Sequence, residues 1–313
     1  MPEINAQEIN EALNRLQFAQ SQTYKNLTLF PLITTEPLPS AYLFLDEAIP
    51  RGLARVTEIS EAGRVPELAF ENSSTEKILL VDGDELIGAK QNRIVNLSIL
   101  VGGGQRIVIP VSCVEIGRWR RESHDFRSGG RTMFRKARAK KIDQVSHSMM
   151  KMGTRASDQS EIWRDVEEKV LFARCDSRTT SMSDAFDSME DDLHEYVEHF
   201  QHLPNQSGAV VAINGNISGL ELFDSPDAFA KYLGKLIRSY AMDALQVGPS
   251  RTRTVSESAA RRFLDEVKVA MTERFASIGE GEDIRFRSEY VTGAALAKDG
   301  RLVHLASYNQ ASL

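Results

Sequence analysis

Leu86-Ile87-Gly88-Ala89-Lys90-Gln91-Asn92-Arg93-Ile94-Val95-Asn96-Leu97 reads as a strand-like run in which a cation pair and amides are set among aliphatic residues. The acidic turn Asp82-Gly83-Asp84-Glu85 precedes it, and a second apolar run, Ile107-Val108-Ile109-Pro110-Val111-Ser112-Cys113-Val114-Glu115, carries a thiol and a carboxylate at its end. Packing alone does not call for so much polar function in extended runs, so the two together read as a site. If Lys90 to Val101 is one strand, alternation puts Lys90, Asn92, Asn96 and Ser98 on one face and Val95, Leu97, Ile99 and Val101 on the other. Arg93 then falls on the apolar side, and joins the site only through a bulge near Gln91. The competing reading is the solvated face of an edge strand.

Outward from this run, the segment from Leu27 to Val114 is a series of short β-prone stretches broken by Pro, Gly and Asp: Tyr42 to Leu45, Val56 to Ile59, Ile78 to Val81, Val95 to Val101 and Ile107 to Val111. Their gaps are too short for helical crossovers, so the sheet is expected to be antiparallel. Before it, Asn5-Ala6-Gln7-Glu8 has the form of a capping box, and Ile9, Leu13 and Leu16 recur at helical spacing, as in a docking helix.

After it, Arg118 to Lys141 holds ten basic residues against Glu122 and Asp125, with Gly129-Gly130 and little apolar periodicity. That composition predicts a mobile basic connection rather than a core element. The second half is helical. One helix is expected through Ile162, Val166 and Val170, a second through Met189, Leu193, Tyr196, Val197 and Phe200, and a third from Ser225-Pro226-Asp227, which supplies a cap, a first-turn proline and an acid at the positive dipole end. A fourth starts near Thr254-Val255-Ser256-Glu257 and carries Phe263, Leu264, Val267, Met271 and Phe275. Hairpins turn at Asn214-Gly215-Asn216 and at Asp299-Gly300, residues that accept the positive φ of tight turns.

The expected fold class is therefore α+β, mainly antiparallel sheet in the N-terminal half and helices with inserted hairpins in the C-terminal half. Residues 1–24 would be the docking helix and 25–313 a single domain, with a β-rich lobe (25–117), a basic connection (118–157) and an α/β-hairpin lobe (158–313).

With 313 residues the chain can bury a substantial core, in one domain or two joined lobes. A net charge of -6 argues against bulk binding to nucleic acid or anionic membrane, although the stretch Arg118 to Lys141 leaves a local contact open. Two cysteines, Cys113 and Cys175, make no disulfide framework, and no run has the length of a membrane span, so a cytoplasmic location is expected. Composition leaves the oligomeric state open.

The residue types themselves suggest chemistry. Lys90, Arg93 and Arg118 suit phosphate oxygens, and Gln91, Asn92 and Asn96 suit sugar hydroxyls or a base edge. Cys113 is a nucleophile if nearby cations stabilise its thiolate, or a small buried hydrophobe if not. Glu115 needs a partner, and Arg118 is the nearest in sequence. Asp84 and Glu85 are general bases or ligands of Mg²⁺ or Ca²⁺ beside Lys90, with no spaced ligand set that fixes either metal, or part of an exposed turn. His194-Glu195-Tyr196-Val197-Glu198-His199 lacks zinc-protease spacing, and Gly102-Gly103-Gly104 precedes a strand rather than a phosphate-binding helix.

Residues 79 to 96 and 109 to 119, with Asp158 to Trp163, the Gly208 to Phe223 hairpin and Lys235 to Tyr240, closely resemble the ARG and Rhodanese-Phosphatase-superfamily-associated Protein domain family. The resemblance covers nearly the whole chain after the first helix. It implies an association with ADP-ribosylglycohydrolases and other NAD-derived nucleotide systems. It also implies that Asp84, Glu85, Lys90, Gln91, Asn92, Arg93, Cys113 and Glu115 are the family's motif positions. The expected function is binding, and processing, of an ADP-ribose-like or NAD-derived nucleotide by a hydrolase or transferase, with Glu85, Cys113 and Glu115 as catalytic candidates. A nucleotide sensor without turnover and a protein-interaction scaffold are the alternatives.

Overall fold

A computed structural model describes residues 3–4, 6–60, 66–120, 123–249 and 254–312. The fold is α+β with antiparallel sheets, built around a large sheet, a closed six-stranded barrel and a three-stranded sheet.

The large sheet runs in the order Glu3–Ile4, Met271–Ala276, Glu282–Arg287, Val291–Lys298, Arg301–Asn309, Asn216–Phe223, Gln206–Ile213, Leu27–Thr34 and Leu16–Phe18, with Gln22–Tyr24 also on Leu27–Thr34. Both of its faces are buried. Ala209, Val211 and Ile213 meet the helices Arg135–Met152, Gln159–Ala173 and Pro226–Val247, while Val210 and Ala212 face the opposite core, shared with the helices Gln7–Asn14 and Glu257–Val269. That explains why these strands are almost wholly apolar instead of alternating.

Local signals set the ends of many elements. The Ser225 hydroxyl accepts the Ala228 N–H and Pro226 occupies the first turn of Pro226–Val247; such a cap contributes about 1 kcal/mol. Asn214 and Gly215, and Asp299 and Gly300, all have positive φ (49°, 77°, 50° and 72°), as both hairpin turns require. The helix Gln7–Asn14 starts after Ala6 without a side-chain cap; the expected cap at Asn5 lies outside the described residues.

Four expectations are corrected. Lys90 to Val101 is not one strand. Gly88 (φ 135°) and Ala89 (φ 43°) leave extended geometry, Arg93–Val95 is a barrel strand, and Ile99–Val101 belongs to the three-stranded sheet. Not every pair is antiparallel, since Tyr42–Phe44 runs parallel to Lys77–Leu80. The fourth C-terminal helix stops at Val269, so Met271 and Phe275 belong to an edge-proximal strand.

The largest correction concerns Arg118 to Lys141. Asp125–Thr132 is a barrel strand, and Arg135–Met152 is a helix that buries Arg135, Arg138 and Lys141 beside Ala139, Ile142 and Val145. Its cations replace the apolar stripe that a core helix ordinarily shows. Arg138 is fully buried 2.7 Å from Glu221, Lys141 pairs with Asp82, and Arg135 donates to the Ser218 carbonyl. The acidic turn is equally buried, with Asp84 and Glu85 at 0% exposure.

The barrel order is Arg93–Val95, Arg106–Cys113, Glu67–Asn72, Ala54–Glu58, Asp125–Thr132 and Asp84–Gly88. Leu68, Phe70, Leu86, Val95, Ile109, Val111 and Phe126 fill it. At one end the strands finish at Glu58, Gly88 and Cys113 and start at Glu67, Arg93 and Asp125, so the motif loops gather there.

Candidate functional site

The loop Ala89–Asn92 and the segment after Cys113 are joined by one buried hydrogen-bond network. Arg118 grips Glu115 through both terminal oxygens, Nε to Oε1 at 2.9 Å and Nη2 to Oε2 at 2.7 Å. Its other donors reach the Ala89 carbonyl (2.9 Å) and Asn92 Oδ1 (3.0 Å). Glu115 also accepts from the Asn92 backbone N–H (3.0 Å) and the Thr179 hydroxyl (2.8 Å). Burial pushes this carboxyl up, but the Arg118, Asn92 and Thr179 donors outweigh it and hold the pKa below the usual carboxylate range.

From Asn92 the network continues outward through the barrel wall. Asn92 Nδ2 donates to Ser183 Oγ (3.1 Å), and Ser183 donates to Glu85 Oε1 (2.8 Å). Glu85 Oε2 is buried with no hydrogen-bond partner among the described residues; the Arg131 guanidinium stands 3.7 Å away. Burial raises the Glu85 pKa to about 7, against the opposing pull of Arg131 and the Ser183 hydroxyl. Opposite Glu85 the pairing of the strand Asp125–Thr132 shifts register between Ser128 and Thr132, with Gly130 at φ 67°. This bulge brings Gly129, Gly130 and Arg131 to the rim of a cleft of about 510 Å³, shared with Phe186, Asp187, Glu190 and Arg238.

Inward, Gln91 links the same network to the barrel interior. Its Oε1 accepts from Arg93 Nη1 (3.0 Å) and the Cys113 thiol (3.1 Å), and its Nε2 donates to the Glu115 carbonyl (2.9 Å). The Cys113 backbone is held on both sides by the Gln159 amide at 2.8 Å. Burial pushes the thiol pKa up in spite of nearby Arg93. Half-buried Lys90 lies at this barrel end with its ammonium 5.3 Å from the Trp119 ring centroid.

Glu85, Gln91, Asn92, Arg93, Cys113, Glu115 and Arg118 are thus brought into one network, but most of it is closed rather than lining an open surface. Two motif residues serve other contacts. Asp84 accepts from Tyr232 and Lys235, each at 3.0 Å, and tethers the helix Pro226–Val247; burial raises its pKa against the Lys235 charge. Asn96 accepts from Ser112 (2.6 Å) and donates to the Arg155 carbonyl (3.1 Å), at the opposite end of the strand Arg93–Val95 from Asn92. Ser183 and Thr179 carry no signal in the sequence, and Gly129 and Arg131 read there only as parts of a basic connection; the Gly129-Gly130 pair beside arginines is the one local sign of the bulge. Among the described residues no group of three or more His, Cys, Asp or Glu side chains is placed to hold a metal ion. A separate cleft of about 750 Å³ beside Tyr42 and Asp224 contains no motif residue.

These features define a class: an α+β protein whose small barrel carries a buried carboxylate and guanidinium network through its wall. The model of the ARG and Rhodanese-Phosphatase-superfamily-associated Protein domain matches residues 15–308, and the chain belongs to that family. Its name links the family to ARG and rhodanese-phosphatase proteins. No curated protein and no solved structure matches the chain. Among the described residues no helix is long and apolar enough to cross a membrane.

Proposed function

We propose that this protein binds an ADP-ribose-like or NAD-derived nucleotide at the cleft rimmed by Gly129, Gly130 and Arg131 and processes it there, with Glu85, buried beneath that rim, as general acid and base. One observation carries the reading: a fully buried carboxyl, one oxygen of which has no hydrogen-bond partner among the described residues, lies beneath the glycine bulge that rims a cleft and has a pKa of about 7. A group half ionised at neutrality can take a proton from an attacking water or hydroxyl and return it to a leaving group. Arg131, with exposed Arg127 nearby, supplies positive charge for phosphate oxygens. Ser183 fixes the carboxyl, and the Asn92, Arg118 and Glu115 network fixes Ser183. In this reading Glu115 is a permanent counter-charge and Cys113 a packed thiol, so the acid-base work falls to Glu85. The family link to ARG proteins supports the nucleotide class.

The test is a thermal-shift panel of NAD, ADP-ribose and related nucleotides, with and without Mg²⁺, followed by product analysis on each nucleotide that binds. Binding with turnover that Glu85→Gln abolishes is the expected result; a panel with no binding sinks the proposal. Binding without any turnover would favour the sensor reading, for which the saturated hydrogen bonding of Glu115 and Arg118 speaks.

A further inference from the structure

We infer that the motif-end mouth of the barrel, above its apolar filling, is a second binding site, for a small uncharged carboxamide. Cross-strand pairing of Leu86 with Arg93 and of Arg93 with Cys113 places all three side chains on one face, and Leu86 belongs to the barrel core. Glu58 pairs with Leu68, another core residue, and so also points inward. Arg93 is 0% and Glu58 9% exposed. Arg93 Nη1 is held by Gln91, but its Nε and Nη2, and both oxygens of Glu58, have no hydrogen-bond partner among the described residues.

An unmet buried donor or acceptor is costly, so four at one barrel end are not explained by packing. Nε and Nη2 form the edge of the guanidinium by which Arg118 grips Glu115 and Arg285 grips Asp283 in this same protein. At Arg93 that edge is left open. A single carbonyl oxygen can fill it, as the Ser218 carbonyl does for Nε and Nη2 of Arg135 at 3.2 and 2.9 Å.

Charge selects among ligands. Of the buried charges at this mouth with atoms left without a hydrogen-bond partner among the described residues, Arg93 and Glu58 are opposite in sign, with half-buried Lys90 outside them at the Trp119 ring; a neutral amide meets both without adding a buried charge, whereas a carboxylate would meet Arg93 and oppose Glu58. The amide oxygen would accept from Arg93 and the amide N–H would donate to Glu58. Trp119, 51% exposed, lies at the rim with Arg93 5.9 Å from its ring centroid, and offers a face to an aromatic body on the amide. Barrel mouths are a recurrent place for such small ligands. The site is on the inner face of the wall and Glu85 on the outer, so this inference does not rest on the nucleotide reading.

Benzamide and benzoate are the probes, since they share a ring and differ in charge. Benzamide should raise the Tm of the full chain in a dose-dependent way, and benzoate should bind more weakly. Arg93→Lys, which keeps the charge and removes the two-pronged edge, should weaken benzamide by about tenfold, as should Glu58→Gln. Should either variant fold poorly, the arginine Nε–H resonances of the wild-type protein give the same answer, because one of them should move on adding benzamide. No stabilisation by benzamide, benzoate binding as tightly as benzamide, folded variants with unchanged affinity, or an unmoved arginine spectrum would each overturn the inference.

Discussion

Gly129 lies against the Glu85 carboxyl so closely that a Cβ at position 129 would stand 2.6 Å from Oε2 and 3.0 Å from the Glu85 Cβ. No side chain fits there without moving the carboxyl. Gly129→Ala should therefore displace Glu85 from Ser183 and lower nucleotide turnover at least as much as it lowers affinity. Its cost in stability should be about 1–3 kcal/mol, the range for overpacking. Gly130→Ala is the companion variant: the space around it is open, but its φ of 67° is strained for alanine, so it should lose stability with less effect on turnover. Steady-state kinetics and urea denaturation of the pair would show whether the steric contact at 129 controls the site.

Such contacts were only partly legible in the sequence. Ser225-Pro226-Asp227 and the two hairpin turns could be read directly because each is determined by the local chemistry of a few residues. The polar cluster at Glu85, Asn92, Arg93, Cys113 and Glu115 could also be read, because polar groups stand out in apolar runs. The helix Arg135–Met152 could not, since its buried face contains Arg135, Arg138 and Lys141 and its counter-charges, Glu221 and Asp82, lie on other elements. The contact between Ser183 and Glu85 joins residues 98 apart in the chain and leaves no local trace. Alternation likewise fails at Lys90 to Val101, because a turn and a change of sheet interrupt the run.

Arg138 and Glu221 make the most exacting test of the charged core. Both are fully buried, and Glu221 also accepts from Tyr308 at 3.0 Å, with His304 at 3.3 Å. Burial raises the carboxyl pKa, but Arg138 and His304 hold it below the usual range. Glu221→Gln leaves a guanidinium without its counter-charge and should cost about 3–5 kcal/mol by urea denaturation. Arg138→Met combined with Glu221→Leu removes both charges and should be less destabilised than either single change. A double variant as unstable as the sum of the two singles would refute this account of the pair.

Cys113 should behave as a packed thiol. It is 0% exposed, its pKa is raised by burial, and its hydrogen bonds go to Gln91 and to the Glu115 carbonyl. Under native conditions iodoacetamide should modify the part-exposed Cys175 first, with Cys113 reacting only on unfolding; peptide mass spectrometry distinguishes the two. Cys113→Ser should retain most of any turnover. A covalent adduct trapped on native Cys113 would instead make it a nucleophile.

Glu85 connects stability to pH in a direction that can be checked. Its carboxyl has a pKa of about 7 when folded against the ordinary 4.5 of a free glutamate, so between those values the native state binds more protons than the unfolded state. Stability from this group must then fall as pH rises through that interval. The interval corresponds to about 3 kcal/mol, the cost of ionising the carboxyl in its buried place. Gln at position 85 keeps an acceptor for Ser183 and has nothing to ionise. Relative to wild type, Glu85→Gln should therefore gain up to about 3 kcal/mol on going from pH 4.5 to pH 8, measured by urea denaturation at each pH. Turnover should show the same group. The wild-type kcat/KM profile should carry an inflection near pH 7, and Glu85→Gln should remove the activity that titrates there. If the stability difference between the two proteins stays flat from pH 4.5 to 8, Glu85 is not ionising in a buried site, and its role as acid and base falls with it.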